Sequence, residues 1–307
     1  MKPLYILFLI VGYFSVLLFI SFITGKKADN NTFFKANNSS PWYLVAFGMI
    51  GASLSGVTFI SVPGWVEDQS MSYMQMVLGY VVGYAVIGLI LLPLYYRLNL
   101  TSIYTYLEDR FGRYSYKTGA SFFLLSRTIG AAFRLFLVAN VLQLLVFDEF
   151  GIPFWLTVTI TILLIWGYTF KGGIKTIVWT DTLQTLFMLV AVGVCIYTIS
   201  DEMNISNIFT YVADSDLSKT FFFEDYKAGN YFWKRFFSGA FIAIVMTGLD
   251  QDMMQKNLSC KNLKDAQKNM FWFTIVLVIV NFFFLALGVL LTDYAQQNGI
   301  DAHKDQL

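Results

Sequence analysis

Residues 42–65, WYLVAFGMIGASLSGVTFISVPGW, decide how this chain is read. The stretch is long and apolar enough to cross a bilayer, which takes about 20 such residues. Its middle and far half nevertheless hold Gly48, Gly51, Ser53, Ser55, Gly56, Thr58, Ser61, Pro63 and Gly64. Backbone without partners at membrane depth is so costly that a breaker-rich span persists only where its carbonyls face protein, water or a bound ion. The alternative is that the small residues let neighbouring helices approach closely. Both readings stay open on this stretch alone.

The rest of the composition agrees with a membrane setting. The chain is 57% hydrophobic and 13% charged, where soluble domains carry about 25% charge, and its mean hydropathy is +0.60. These values describe a polytopic membrane protein. A net charge of +1 gives no sign of a nucleic-acid partner. Cys195 lies in an apolar run and Cys260 in a Lys-rich loop, so no disulfide or metal framework follows. His303, in the terminal tail, is the one histidine, which leaves no histidine for an intramembrane active site or proton relay.

Eight stretches are apolar enough to span, at 3–24, 42–65, 73–96, 118–146, 153–170, 175–199, 236–255 and 270–292. The first is longer than a signal-peptide core and lacks a small-residue cleavage site, so it reads as a retained helix. Alternate loops carry Lys26, Lys27, Lys35, Arg97, Arg110, Arg113, Lys117, Lys171, Lys175, Lys256, Lys261, Lys264 and Lys268, thirteen of the 21 basic residues. The positive-inside rule then sets the N-terminus outside and the span 42–65 running outward. Within the loop 97–117, Ile103, Tyr104, Leu107 and Phe111 at helical spacing, with Thr101 or Ser102 as cap, predict a short interfacial helix. The loop 200–230 carries the aromatic run Phe221, Phe222 and Phe223, suited to an interfacial anchor or a lid. After the eighth span comes a polar tail, DYAQQNGIDAHKDQL, in which no anchor or closing domain is legible.

Ionisable residues at membrane depth are functional candidates by default. Arg127 and Arg134 lie seven residues apart in the fourth span and so share a face. A guanidinium held there can grip a carboxylate with two parallel hydrogen bonds, or clamp a neighbouring helix instead. Asp181 opens the sixth span between Thr180 and Thr182, an oxygen-rich group suited to a hard cation such as sodium; the alternative is a pair with a Lys or Arg nearby. The seventh span repeats the opening theme. Ser238, Gly239, Thr247 and Gly248 interrupt it, and Asp250, Gln251 and Asp252 sit at its cytoplasmic end. Two broken spans, five apart and opposite in direction, are the sequence pattern of an inverted repeat with a binding site at its centre.

Four segments together resemble the sodium:solute symporter family. They are GASLSGVTFISVPGW (51–65), YLEDRFGR (106–113), GGIKTIVWTDTLQ (172–184) and GLDQDMMQKNLSCKNLKDAQKNM (248–270). The resemblance implies an all-α, LeuT-type inverted-repeat fold in one transmembrane domain over 1–307. In it 3–24 is an extra helix, 42–199 a five-helix repeat and 236–292 the start of a second repeat, incomplete in this chain and followed by the tail 293–307. It further implies sodium held by the carbonyls of Gly51 and Leu54, with Asp181 and Thr182 on the ion's exit path or at a second site. Substrate contacts would come from Ser53, Ser55, Thr58, Gln75, Thr247 and Arg134 or Arg127. Sugar-carrying members have Asn, Glu and Gln around the first break where this chain has Ser53, Val57 and Thr58. Members carrying sialic acid hold its carboxylate with an arginine in the helix of Arg127 and Arg134. The expectation is therefore a sodium-coupled symporter of the inner membrane, importing a small organic solute, anionic in preference to neutral. Its rivals are a symporter of a neutral solute such as a sugar, a symporter-like sensor joined to a signalling module, and a membrane acyl or phosphate transferase. The lack of intramembrane histidine disfavours the transferase.

Overall fold

The structure, a computed structural model, describes residues 3–24, 40–54, 56–100, 102–169 and 173–300. Its helices are α1 (Pro3–Thr24), α2 (Trp42–Ser53), α3 (Gly56–Gln69), α4 (Tyr73–Val86), α5 (Thr105–Phe111), α6 (Arg113–Leu142), α7 (Phe154–Thr169), α8 (Gly173–Glu202), α9 (Ile208–Asp214), α10 (Phe232–Ala243), α11 (Gln251–Leu258) and α12 (Leu263–Gln297). α4 continues through a π turn, Ile87–Leu91, into Leu92–Arg97, and α10 ends in a π turn, Ile244–Gly248. Among the described residues five helical stretches are long and apolar enough to cross a membrane, and the bent pair Phe232–Gly248 and Gln251–Leu258 makes a sixth when counted as one span.

Where described, all eight stretches expected to span are helical, but three differ from a simple span. Residues 42–65 form two short helices, 236–255 bend into α10 and α11, and 153–170 form α7, whose 16 residues fall short of the usual crossing length. α6 begins before residue 118, and α12 runs on to Gln297, inside the expected tail. Both extensions follow from backbone pairing, because a helix satisfies its own amides and carbonyls beyond the point where its side chains cease to be apolar.

The chain weaves between two compact units. One comprises α1, α5, α6, α7 and the opening turns of α8; the other comprises α2 to α4, α8 from Asp181 onward, and α9 to α12.

In the first unit the short interfacial helix forms as expected. Ile103 is buried, Tyr104 meets Phe123 at 5.5 Å, and a side chain on Gly119 would strike Leu107, so α5 lies close against α6. The Ser102 hydroxyl accepts the Tyr104 amide (3.3 Å), while Thr101 lies outside the described residues. At the other end of α6, Gln143 donates to Asp148 (2.6 Å) and to the Ile152 carbonyl (2.7 Å) and accepts from Thr157 (2.6 Å), which closes the turn into α7.

The second unit is organised around α12 and the pair α4–α10. α12 buries Phe273, Leu277, Phe284, Leu285 and Leu290, and its Gly288 faces the backbone of Pro63 in α3. α4 and α10 run parallel in backbone contact. A Cβ on Gly79 would lie 2.0 Å from the Phe236 carbonyl oxygen, and one on Gly83 would lie 2.5 Å from that of Ala240. Gly79 and Gly83 form the small-xxx-small spacing that lets membrane helices close up.

Candidate functional site

The break expected in the first broken span is present. Leu54 leaves the helical region (φ −95°, ψ 97°) and its amide gives the last α2 bond, to Ile50 at 2.8 Å. Gly51 and Leu54 therefore sit where a helix runs out of its own donors and its carbonyls need outside partners. Ser53 and Thr58 flank the break, both half-buried, and Ser55 lies outside the described residues.

α8 supplies the facing wall. Thr182 donates to the Leu44 carbonyl (3.3 Å), and Thr185 lies within hydrogen-bond reach of the Phe47 (3.0 Å) and Asp181 (2.7 Å) carbonyls. A Cβ on Gly51 would fall 2.2 Å from the Thr185 hydroxyl oxygen. Gly51 is thus small for close packing, and that packing brings the Thr185 hydroxyl onto the last turn of α2, with Thr182 against its first turn. The two readings left open by the sequence meet at this residue.

Asp181 forms the ion pair that the sequence offered as the alternative. Its carboxylate accepts from Lys256 of α11 at 2.7 Å, and the lysine side chain is 5% exposed and the aspartate 18%. Next to Lys256, Asn257 accepts from Asn269 of α12 (2.6 Å), whose amide also reaches the Met49 sulfur (3.3 Å). α2, α8, α11 and α12 therefore converge on one buried polar knot. The Asn269 carbonyl oxygen in it has no hydrogen-bond partner.

The second break is also real. Thr247 is buried in the π turn of α10, bonded to Tyr84, and Tyr95 donates to the Gly248 carbonyl (2.9 Å). The chain then bends by 67°, and Asp250 restarts the helix by accepting the Met253 amide (3.1 Å).

Gln75 has a different occupation from the one the resemblance implied. It is fully buried; its amide donates to the carbonyls of Ser72 (3.2 Å) and Asn230 (2.9 Å), and its oxygen accepts the Phe222 amide (3.2 Å). Both ends of the side chain hold the loop before α10. Phe221 and Phe223 of that loop stack at 6.3 Å, and Phe223 meets Phe232 at 4.7 Å, so the aromatic run anchors the start of α10.

Arg127 and Arg134 belong to the other unit. Arg127 is half-buried with its guanidinium 5.9 Å from the Phe123 ring centre, and Arg134 is exposed. Among the described residues no cluster of three or more His, Cys, Asp or Glu side chains is placed to hold a metal ion. The oxygens along the α2–α8 contact are hydroxyls and carbonyls, which suit a hard monovalent cation rather than a transition metal.

Sequence reasoning missed three features. Thr185 stands one turn after Asp181, a spacing that could have been read. The Gly79–Gly83 spacing was legible as well. Lys256 had only a topological reading, because nothing in the sequence ties it to an aspartate 75 positions away.

A model of the sodium:solute symporter family matches residues 33–306. The chain belongs to that family. Among its relatives, the sodium/sialic acid symporter NanT of Aliivibrio fischeri is 27% identical over 89% of this chain and 54% of its own length. The sodium/sialic acid symporter SiaT of Proteus mirabilis is 26% identical over 94% of this chain and 58% of its own. The human sodium/iodide cotransporter is 24% identical over 81% and 39%. The chain thus spans little more than half the length of the nearer of these curated relatives. The solved structure of a substrate-bound, outward-open sodium-coupled sialic acid symporter superposes with a TM-score of 0.83 at 24% identity, over 97% of this chain and 63% of that one. The fold is the all-α, LeuT-type architecture expected from the sequence, in a multi-pass membrane protein.

Proposed function

We propose that this chain forms the sodium-binding and solute-binding part of a sodium-coupled symporter that imports a small organic anion by alternating access. The observation that carries the reading is the packing of α2 against α8, where the Thr185 hydroxyl closes on Gly51 in the last turn before the break while also reaching the Phe47 carbonyl, and Thr182 bonds Leu44 at the other end of α2. A sodium ion at Gly51 and Leu54 ties the two helices and favours the outward-open state. It thereby raises solute affinity by binding that state better than the other. The ion leaves inward past Asp181 and must compete there with the Lys256 ammonium, so release couples to the position of α11.

Further support comes from the relatives that carry sialic acid, and from Arg127 and Arg134, whose guanidinium groups suit a carboxylate. In this reading α1 is an extra helix, 42–199 the first repeat and 236–292 the opening of the second. The N-terminus faces outward across an inner membrane, and the protein is a carrier rather than an enzyme. Sodium-dependent binding of sialic acid and of a panel of small carboxylates to the purified protein tests the proposal, with Arg134→Ala and Arg127→Ala run in parallel. Binding in sodium, absent in potassium and lost in one arginine variant, is expected. A sodium effect without any carboxylate binding removes the anionic substrate and keeps the carrier.

A further inference from the structure

At the far end of α8, away from the break, lies a cavity of about 400 Å³ lined by Gly193, Ile196, Tyr197, Ser200, Asp201 and Ile205 with the residues that lead into α9. That volume falls in the range of small-molecule sites, about 300–1,000 Å³. Its lining changes character along its length. Gly193, Ile196 and Tyr197 give an apolar end within the membrane-crossing stretch, which closes at Glu202; Ser200, Asp201, Ser206 and Asn207 give a polar end where that stretch stops. Tyr197 and Phe209, both strongly exposed, stand at the rim, the placement of aromatic side chains at a bilayer interface.

Two polar groups at that end are unspent. The Ser200 hydroxyl is buried, 7% exposed as a residue, and has no hydrogen-bond partner. Such a group normally finds one, since leaving it unpaired is costly. Asp201 is exposed and forms no ion pair among the described residues, whereas its neighbour Glu202 is engaged by Tyr294. No Lys or Arg lines the cavity. The site therefore offers an apolar slot, a carboxylate and a hydroxyl, with the Ser206 and Asn207 side chains beside them.

We propose that this cavity binds a phospholipid whose head group carries a primary ammonium. The ammonium sits between the Asp201 carboxylate and the Ser200 hydroxyl, both acceptors for its N–H donors. The phosphate oxygens take donors from Ser206 and Asn207, and the first part of an acyl chain lies along Gly193 and Ile196. A trimethylated head group keeps the charge and loses every N–H, so the Ser200 acceptor discriminates against it.

The structure offers two variants suited to a test. A Cβ on Gly193 meets nothing within 4 Å, so Gly193→Trp fills the slot from open space. Ser200→Ala removes a hydroxyl that bonds nothing in the protein, and so leaves folding intact. Purified protein is delipidated, mixed with phosphatidylethanolamine or phosphatidylcholine of identical chains, and bound lipid is counted by native mass spectrometry. Preferential retention of phosphatidylethanolamine is expected. Its affinity should fall about 12- to 150-fold in Ser200→Ala, the scale of one hydrogen bond to a charged group, and binding should vanish in Gly193→Trp. Equal retention of the two lipids, or a preference unchanged in both variants, overturns the proposal. Displacement of the lipid by free ethanolamine overturns it as well, because the occupant would then be a soluble amine.

Discussion

Replacing Lys256 by Met probes the buried pair on which α8 and α11 meet. The lysine side chain is 5% exposed and its partner Asp181 18%, with 2.7 Å between nitrogen and oxygen. At an effective dielectric near 20, unit charges about 4 Å apart attract by about 4 kcal/mol. Removing one member of a buried pair costs about 3–5 kcal/mol, because the remaining charge is left uncompensated. Lys256→Met should therefore destabilise the folded protein by about 3–5 kcal/mol, and Asp181→Asn by a comparable amount. The double variant removes both charges and keeps most of the packing, so its loss should be smaller than that of either single change. The coupling energy, about 3 kcal/mol or roughly 150-fold in the unfolding equilibrium, is read from a double-mutant cycle by denaturant unfolding in detergent micelles. Two small and additive single losses would show that the pair is hydrated, and that Lys256 does not compete with sodium for Asp181.

Three further outcomes follow from other contacts. Gly79→Val places a Cβ 2.0 Å from the Phe236 carbonyl oxygen, so α4 and α10 must separate; a loss of at least about 1–3 kcal/mol is expected in the same unfolding assay. Gln75→Ala removes the two bonds, to Asn230 and Phe222, by which it holds the loop before α10; amide exchange at residues 222–230 should quicken while exchange in α12 stays unchanged. Burial pushes the Cys260 thiol up to about 12, which leaves about one thiolate in ten thousand at pH 8, so maleimide should label it only after unfolding. The sign of its pH effect follows from a folded value above the unfolded one near 8.5: its contribution is complete below pH 8 and is lost as pH rises toward 12.

Several features of the site were legible before any coordinates. The crowding of Gly, Ser and Pro after Met49 marked the first break, because few residue types tolerate non-helical backbone at depth. Thr247 and Gly248 before Asp250 marked the second in the same way. The apolar runs gave the helices but not their ends, since hydropathy stops at the membrane surface while helical hydrogen bonding does not. What stayed hidden is pairwise. Asp181 was visible as an acid at depth, but its lysine lies in a segment that reads as a cytoplasmic loop. Gln75 was visible as a polar residue in a span, yet its partners are backbone groups of a loop, which carry no signature in the sequence.

The most direct test of the account is calorimetric titration of the purified protein with sialic acid in sodium and in potassium, paired with the reverse titration of sodium with and without the acid. Coupling through one conformational equilibrium predicts that sodium raises solute affinity about 5–150-fold, and that the solute raises sodium affinity by the same factor. Equal affinity for the solute in the two salts, with sodium binding untouched by it, would contradict sodium coupling at the α2 break.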